Sequence, residues 1–288
     1  MHPGNSSCIR LLDCRYTAHL EPANKEAQQT MSRLAAYIGP DIPLQDLLIG
    51  PPNSLYIQAR ESREAFHANF NADGFGIGWY RDDAPLRYIQ TSPIWHDLNL
   101  GALTRSLQSE LWLAVVRNSI GHSDATPYNA QPYLSNSLMF MHDGFVTDFS
   151  RNLKPACLSY LSADVASNIH GNSESEYLFA LLRQRMADPD ELSLEHAIAD
   201  ILANLEISLR DIPSVMNIVV SDGNRLIATR HATAHDCASL YYTTESKRFP
   251  GGQLVASEPL DDDGQWEPVL ENHIVILERD KVPRVSRI

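Results

Sequence analysis

The sequence predicts an α+β fold in which helices cover β-sheets, and three observations predict it. Apolar runs of strand length recur from Met31 onward, two helical repeats lie side by side in the middle, and strands then return to the C-terminus. That order differs from the strand–helix alternation that builds a parallel sheet. A chain of 288 residues is long enough for one large domain or two small ones and can bury a core without disulfides or metals. No internal repeat or linker divides residues 31–288, which are expected to form one domain. Residues 1–30 have no clear period and read as an N-terminal extension, either a disordered arm or a propeptide.

Arg33–Gly39 (RLAAYIG) reads as a buried strand ending at Gly39-Pro40, and Pro43–Ile49 as a short helix stopped by Pro51-Pro52. Asp73–Arg81 (DGFGIGWYR) is a strand whose glycines allow close backbone approach. Asp97–Leu107 is expected to be helical, and Leu111–Arg117 and Ser137–His142 to be strands. Ser173-Glu174-Ser175-Glu176 has the spacing of a capping box, with Leu178, Leu181, Leu182 and Met186 at helical intervals behind it. A second helix starts near Ser193. Val215–Ser221 and Arg225–Arg230 flank Asp222-Gly223-Asn224, a hairpin signal. Strands over Ser239–Thr243, Gln253–Ser257 and His273–Glu278 complete the set.

A net charge of −13 argues against sequence-independent nucleic-acid binding, which needs a basic surface, and disfavours an anionic membrane. No apolar run is long enough to span a bilayer, and the N-terminus lacks the apolar core of a signal peptide. Four cysteines (Cys8, Cys14, Cys157 and Cys237) show neither CxxC pairing nor metal spacing and read as free thiols in a reducing cytoplasm. The generic signatures of a P-loop, a GxSxG elbow, HExxH and an EF-hand are missing.

Six short polar segments instead sit at predicted element ends, where side chains can converge on one cleft. They are Met31-Ser32-Arg33, Asn71-Ala72-Asp73-Gly74, Arg117, Asn129-Ala130-Gln131-Pro132-Tyr133, His142-Asp143-Gly144 and Ser173–Glu176. Each also has a plain structural reading. Asp73-Gly74 and Asn129 are compatible with turn chemistry, Ser173–Glu176 with a helix cap, and Arg117 with an ordinary strand end.

Taken in order, MSRLAAYIG, NADGFGIGW, the VRNSI stretch, NAQPY, HDG and ESE resemble the class II glutamine amidotransferases, the N-terminal nucleophile type. The nearest likeness is the branch of the γ-glutamyl hydrolase of ergothioneine biosynthesis; PLQDLLIGPPNSLYIQ, SPIWHDLNL, SDGNRLIATR and VASEPL fit it too. The resemblance implies a four-layer αββα sandwich that needs no cofactor or metal. It also implies a small γ-glutamyl or amino-acid ligand and a synthase as a possible partner. In that chemistry the first residue attacks the amide carbon, and its own α-amine, with an ordinary pKa of about 7.7–8.0, acts as base. The resemblance assigns Ser32 to the nucleophile, Asp143 and Gly144 to the oxyanion contacts, and Arg117, Asn129, Asp73, Gly74 and Glu174 to the substrate.

Three of these positions depart from the family pattern. Ser32 replaces a cysteine, and an alcohol is far less ionised than a thiol at neutral pH. Asp143 replaces the asparagine that donates to the oxyanion; an ionised carboxylate cannot donate. Glu174 replaces an aspartate and is one methylene longer. Ser32 also follows 31 residues, so its nitrogen becomes an amine only if the chain starts there, by initiation at Met31 with methionine removal or by self-cleavage. The expectation is therefore either an amidohydrolase with Ser32 exposed or a catalytically silent relative that binds an amino acid or regulates a partner enzyme.

Overall fold

The computed structural model describes residues 31–64, 70–118, 126–187 and 192–288. The segment 1–30, with Cys8 and Cys14, lies outside the described residues. The chain opens with β1 (Arg33–Pro43), α1 (Leu44–Leu48), α2 (Leu55–Gln58), β2 (Phe75–Arg81), β3 (Ala84–Gln90), α3 (Leu100–Ser106) and β4 (Gln108–Val116). The middle holds β5 (Tyr133–Ser135), β6 (Leu138–Val146), α4 (Phe149–Asn152), α5 (Lys154–Tyr160), α6 (Ala163–Ser167), α7 (Glu174–Ala187) and α8 (Leu194–Ser208). Then come β7 (Ser214–Ser221), β8 (Arg225–Arg230), β9 (Ala232–Thr233) and β10 (Tyr241–Thr243). The last strands are β11 (Gln253–Ala256), β12 (Glu267–Pro268), β13 (His273–Glu278) and β14 (Arg284–Arg287).

These strands form two antiparallel sheets. The first has the order β12-β10-β11-β1-β4-β2-β3, and the second β14-β13-β8-β7-β6-β5 with β9 beside β7. Strand pleating sends alternate residues to opposite faces, which sorts the core into three layers. Leu34, Ala36 and Ile38 of β1 meet Met139 and Met141 of β6 between the sheets. Ala35 and Tyr37 point the other way, toward Leu44, Leu47 and Leu55 of α1 and α2. Phe140 and Val146 of β6 face α4 to α8, including Leu178, Leu181, Ile201 and Leu205. Helices, two sheets and helices in succession are the four-layer αββα sandwich expected. Among the described residues no helix is long and apolar enough to cross a membrane.

Both long helices begin where the sequence placed them. The Ser173 hydroxyl accepts from the Glu176 amide at 3.3 Å, and Ser193 accepts from the His196 amide at 3.4 Å. The Glu176 carboxylate reaches past the reciprocal partner of a capping box to the amides of His170 and Gly171, at 2.9 and 2.7 Å. The predicted hairpin after β7 is present, with the Asn224 amide on Asp222 Oδ1 at 3.1 Å.

Several boundaries are corrected. β1 continues through Gly39-Pro40 to Pro43, because its register on β4 shifts between Ile38 and Ile42 and so needs no ladder donor from Pro40. The helix expected over Asp97–Leu107 is confined to Leu100–Ser106, with a 3₁₀ turn at Ile94–His96 before it. β6 does not end at His142; its pairing with β7 runs from Met139↔Ser221 to Val146↔Ser214, so the HDG triplet lies inside the strand. β3, β14 and α4 to α6 had no forecast; three helices of four to seven residues are too short to show a 3.6-residue period.

Candidate functional site

Strand register brings the first group together. Val116 of β4 pairs with both Arg33 of β1 and Phe75 of β2. The next residues outward are therefore Ser32, Arg117 and Gly74, side by side at one end of the first sheet. Two hydrogen bonds fix the row: the Arg117 amide donates to Gly74 O at 2.8 Å, and the Asp73 amide donates to Arg117 O at 3.0 Å. Gly74 has φ +114, and a Cβ there would stand 2.3 Å from Gln90 O, so no other residue fits this corner. The pleat that directs Leu34 and Val115 between the sheets carries on to Ser32 and Arg117, and it directs Asp143 of β6 into the same space, after Met139 and Met141.

The Arg117 guanidinium is buried, and its Nη1 has no hydrogen-bond partner among the described residues. Burial pulls its pKa down, while Tyr133, Glu174 and Asp73 act in the opposite direction through their charges. Glu174, the first residue of α7, is raised by desolvation, opposed by a backbone hydrogen bond and by Arg117. An arginine remains charged under such conditions, so this corner holds one cation with acidic groups within electrostatic reach.

Asn129 is buried and engaged with Asn172: its Nδ2 donates to Asn172 Oδ1 at 2.8 Å, and its Oδ1 accepts from the Asn172 amide at 2.9 Å. That pair ties the 127–129 turn to the loop that opens α7. Tyr133 adds a second tie, its hydroxyl 2.7 Å from Ser173 Oγ.

The second group centres on Arg33. Its Nη1 donates to the carbonyl of Ser32 at 3.1 Å and to Asp143 Oδ2 at 3.3 Å. Its Nε donates to Ser62 Oγ at 2.7 Å and lies 3.3 Å from Glu258 Oε1. Ser257 Oγ donates to the same Asp143 Oδ2 at 2.8 Å. Asp143 is fully buried, and its Oδ1 has no hydrogen-bond partner among the described residues. Burial pushes its carboxyl up to about 6, against the pull of Arg33 and Ser257. Glu258 ends up below the usual range. Burial works to raise it, but the Ser62 hydroxyl, the amides of Glu64 and Arg63, and Arg33 together outweigh that. Gly144 follows on β6; a Cβ there would fall 1.9 Å from Val215 O, so the backbone itself lines the strand.

His142 faces the opposite side of β6. Its Nε2 lies 3.1 Å from Val215 O, an acceptor only, so Nε2 carries the proton and Nδ1 accepts from Ser175 Oγ at 2.9 Å. Burial depresses its pKa to about 4, which keeps the ring neutral near pH 7.

Both the ordering of these segments and the sandwich have counterparts among known proteins. The sequence profile described as "Glutamine amidotransferases class-II" matches residues 54–251. The chain belongs to the class II glutamine amidotransferases. A γ-glutamyl-hercynylcysteine sulfoxide hydrolase of Mycolicibacterium smegmatis is 29% identical over 85% of this chain and 95% of its own length. The Mycobacterium tuberculosis protein of that name is 26% identical over 85% and 92%. A probable glutamine amidotransferase of Saccharomyces cerevisiae is 26% identical over 84% and 80%. In structure, a glutamine aminotransferase class-II domain protein from Silicibacter pomeroyi superposes with a TM-score of 0.63 at 24% identity, covering 88% of this chain and 98% of that one. The glutamine phosphoribosylpyrophosphate amidotransferase of Bacillus subtilis gives 0.60 at 16%, covering 88% and 49%. These two likenesses bear on the fold.

In this amidotransferase relative the structure draws Ser32, Arg117, Asp73, Gly74 and Asp143 toward one space, with Glu174 facing Arg117. Arg33, His142 and Tyr133 lay within the segments the sequence singled out and Glu258 within VASEPL, but none of the four was given a role there. One signal was available for the first: a lone arginine in the otherwise apolar run RLAAYI needs a buried counter-charge. Glu258 lies in VASEPL, distant in sequence from every partner it serves, and nothing local marked it.

Proposed function

We propose that this class II glutamine amidotransferase relative binds a γ-glutamyl amide by its amino-acid end and hydrolyses the amide at Ser32 once Ser32 carries a free α-amine. The observation that carries the reading is Arg117, a buried cation whose Nη1 has no partner among the described residues, within electrostatic reach of Glu174 and Asp73. A substrate α-carboxylate suits the planar guanidinium fork, and an α-ammonium suits the acidic side. Asn129 contributes by holding the loop that presents Glu174. Relatives named as hydrolases of a γ-glutamyl compound support the same substrate class.

The chemical half of the proposal depends on the base. Attack by the Ser32 hydroxyl requires a group to take its proton, and a free α-amine at Ser32 would supply one. A second reading, a silent member that only binds the amino acid, is favoured by Asp143: its carboxylate occupies the position of an amide donor.

One preparation, the protein isolated from its native host, tests both. Intact mass identifies the first residue, release of glutamate from a γ-glutamyl anilide measures turnover, and calorimetry measures glutamate binding. A chain beginning at Ser32, with turnover lost in Ser32→Ala, supports hydrolysis. A chain beginning at Met1 that binds glutamate without turnover supports the silent reading. Absence of glutamate binding would overturn both.

A further inference from the structure

The two oxygens of Asp143 are not equivalent. Oδ2 accepts two hydrogen bonds, from Arg33 Nη1 and Ser257 Oγ. Oδ1 is buried too and accepts none among the described residues. An ionised carboxylate in this position leaves a charged acceptor empty, which is costly in a low-dielectric interior. A proton on Oδ1 replaces the unpaired charge with a neutral hydroxyl, which costs less to leave unpaired, and leaves Oδ2 free to keep both of its donors, as a carbonyl oxygen does. It also turns the empty acceptor into a donor, which is what an asparagine amide would present there.

We propose that Asp143 works as a neutral carboxylic acid whose Oδ1–H donates a hydrogen bond to the oxyanion formed when Ser32 attacks the amide. The inference rests on the hydrolase reading above. In the step itself, the Ser32 Oγ–carbon bond forms and the carbonyl π pair moves onto oxygen. The serine proton passes to the α-amine. Asp143 keeps its own proton throughout and only shares it.

Placement supports this role. A single nitrogen, Arg33 Nη1, touches both the Ser32 carbonyl and the Asp143 carboxyl, so the two residues are held against one another. Pleating directs both side chains into the space between the sheets. The charged groups facing Asp143 are Arg33 from β1, which favours the ionised form, and Glu258 after β11, which opposes it. Its cross-strand neighbour on β7, Asn217, is uncharged, as is Ser257. His142, the preceding residue, is neutral and on the other face. At the adjoining strand end, the charge of Arg117 is met by Glu174 and Asp73. Burial outweighs the single arginine shared between two acids, and the carboxyl titrates near 6.

The test compares kcat/KM of wild type and Asp143→Asn from pH 5 to pH 8, using the protein with the N-terminus found in the native host. Taking the ratio cancels the titration of the serine amine, which both proteins share. An amide donates at every pH, whereas the acid is about 1% protonated two units above its midpoint. The variant-to-wild-type ratio is expected to sit near one at pH 5 and to rise to about 100 at pH 8. A flat ratio overturns the proposal. A ratio that falls with pH overturns it too and makes Asp143 a base instead. Infrared difference spectra give a readout that needs no turnover: a carboxylic-acid carbonyl band present at pH 5, lost by pH 8 and missing from Asp143→Asn. Failure to find that band at pH 5 overturns the proposal and leaves the hydrolase reading standing. Absence of turnover in both proteins at every pH overturns the hydrolase reading and the donor role together.

Discussion

Two buried arginines, Arg33 and Arg117, each face two acidic residues, yet they do opposite things. Arg33, between Asp143 and Glu258, places Nη1 on Asp143 and the Ser32 carbonyl and Nε on Ser62. Arg117, among Glu174 and Asp73, has no partner for Nη1 among the described residues. The charge composition is the same in both places; hydrogen-bond satisfaction separates them. A closed cluster belongs to the frame that holds Ser32 and Asp143 in place. An open one has capacity for a ligand, because a buried donor gains most from an incoming partner.

The contrast is tested most severely at its closed end. Arg33→Ala leaves Asp143 and Glu258 without their shared cation, and a broken buried ion pair costs about 3–5 kcal/mol. Chemical denaturation should show that loss; a change under ~1 kcal/mol would remove the distinction between the clusters. Arg117→Ala should do the reverse. Glutamate affinity is expected to drop by roughly 2–5 kcal/mol in calorimetry, as for truncation of a desolvated charge contact, with a smaller effect on unfolding. Equal effects on binding and stability would make Arg117 a second structural arginine.

The smallest effect concerns pH. Asp143 has a folded pKa above its unfolded value, so its contribution to stability is fully present below about 4 and is lost as pH rises through about 6. Asparagine does not titrate. The stability of Asp143→Asn relative to wild type should therefore rise between pH 4 and pH 8, by roughly 1–3 kcal/mol for a shift of about two units. Thermal melts of the two proteins across that range would read it, and parallel curves would mean that Asp143 is ionised as easily in the fold as in the open chain.

The layers of the fold were legible because they rest on local patterns: apolar runs of strand length in RLAAYI and LMFM, a capped repeat after Ser173, and a turn at Asp222-Gly223. The site was legible as a set of segments in order, since each sits at or near the end of a strand or helix. The partners that decide each residue's state were hidden. Whether Asp143 can carry a proton depends on Arg33, Ser257 and Glu258, which lie more than one hundred residues away in sequence and meet only when the two sheets stack. Reading HDG as the end of a strand had the same origin: polar residues interrupt the apolar pattern, while backbone pairing with β7 continues regardless.

His142 and Asp143 are adjacent in sequence and on opposite sides of β6, one bound to Ser175 of α7 and the other to Arg33 and Ser257. A strand with a fixed fitting on each side cannot be shifted by one position, because a single inserted or deleted residue would send the imidazole into the space between the sheets and the acid into the helical layer. Residues 138–146 can absorb exchange of one side chain for another but not a change of length.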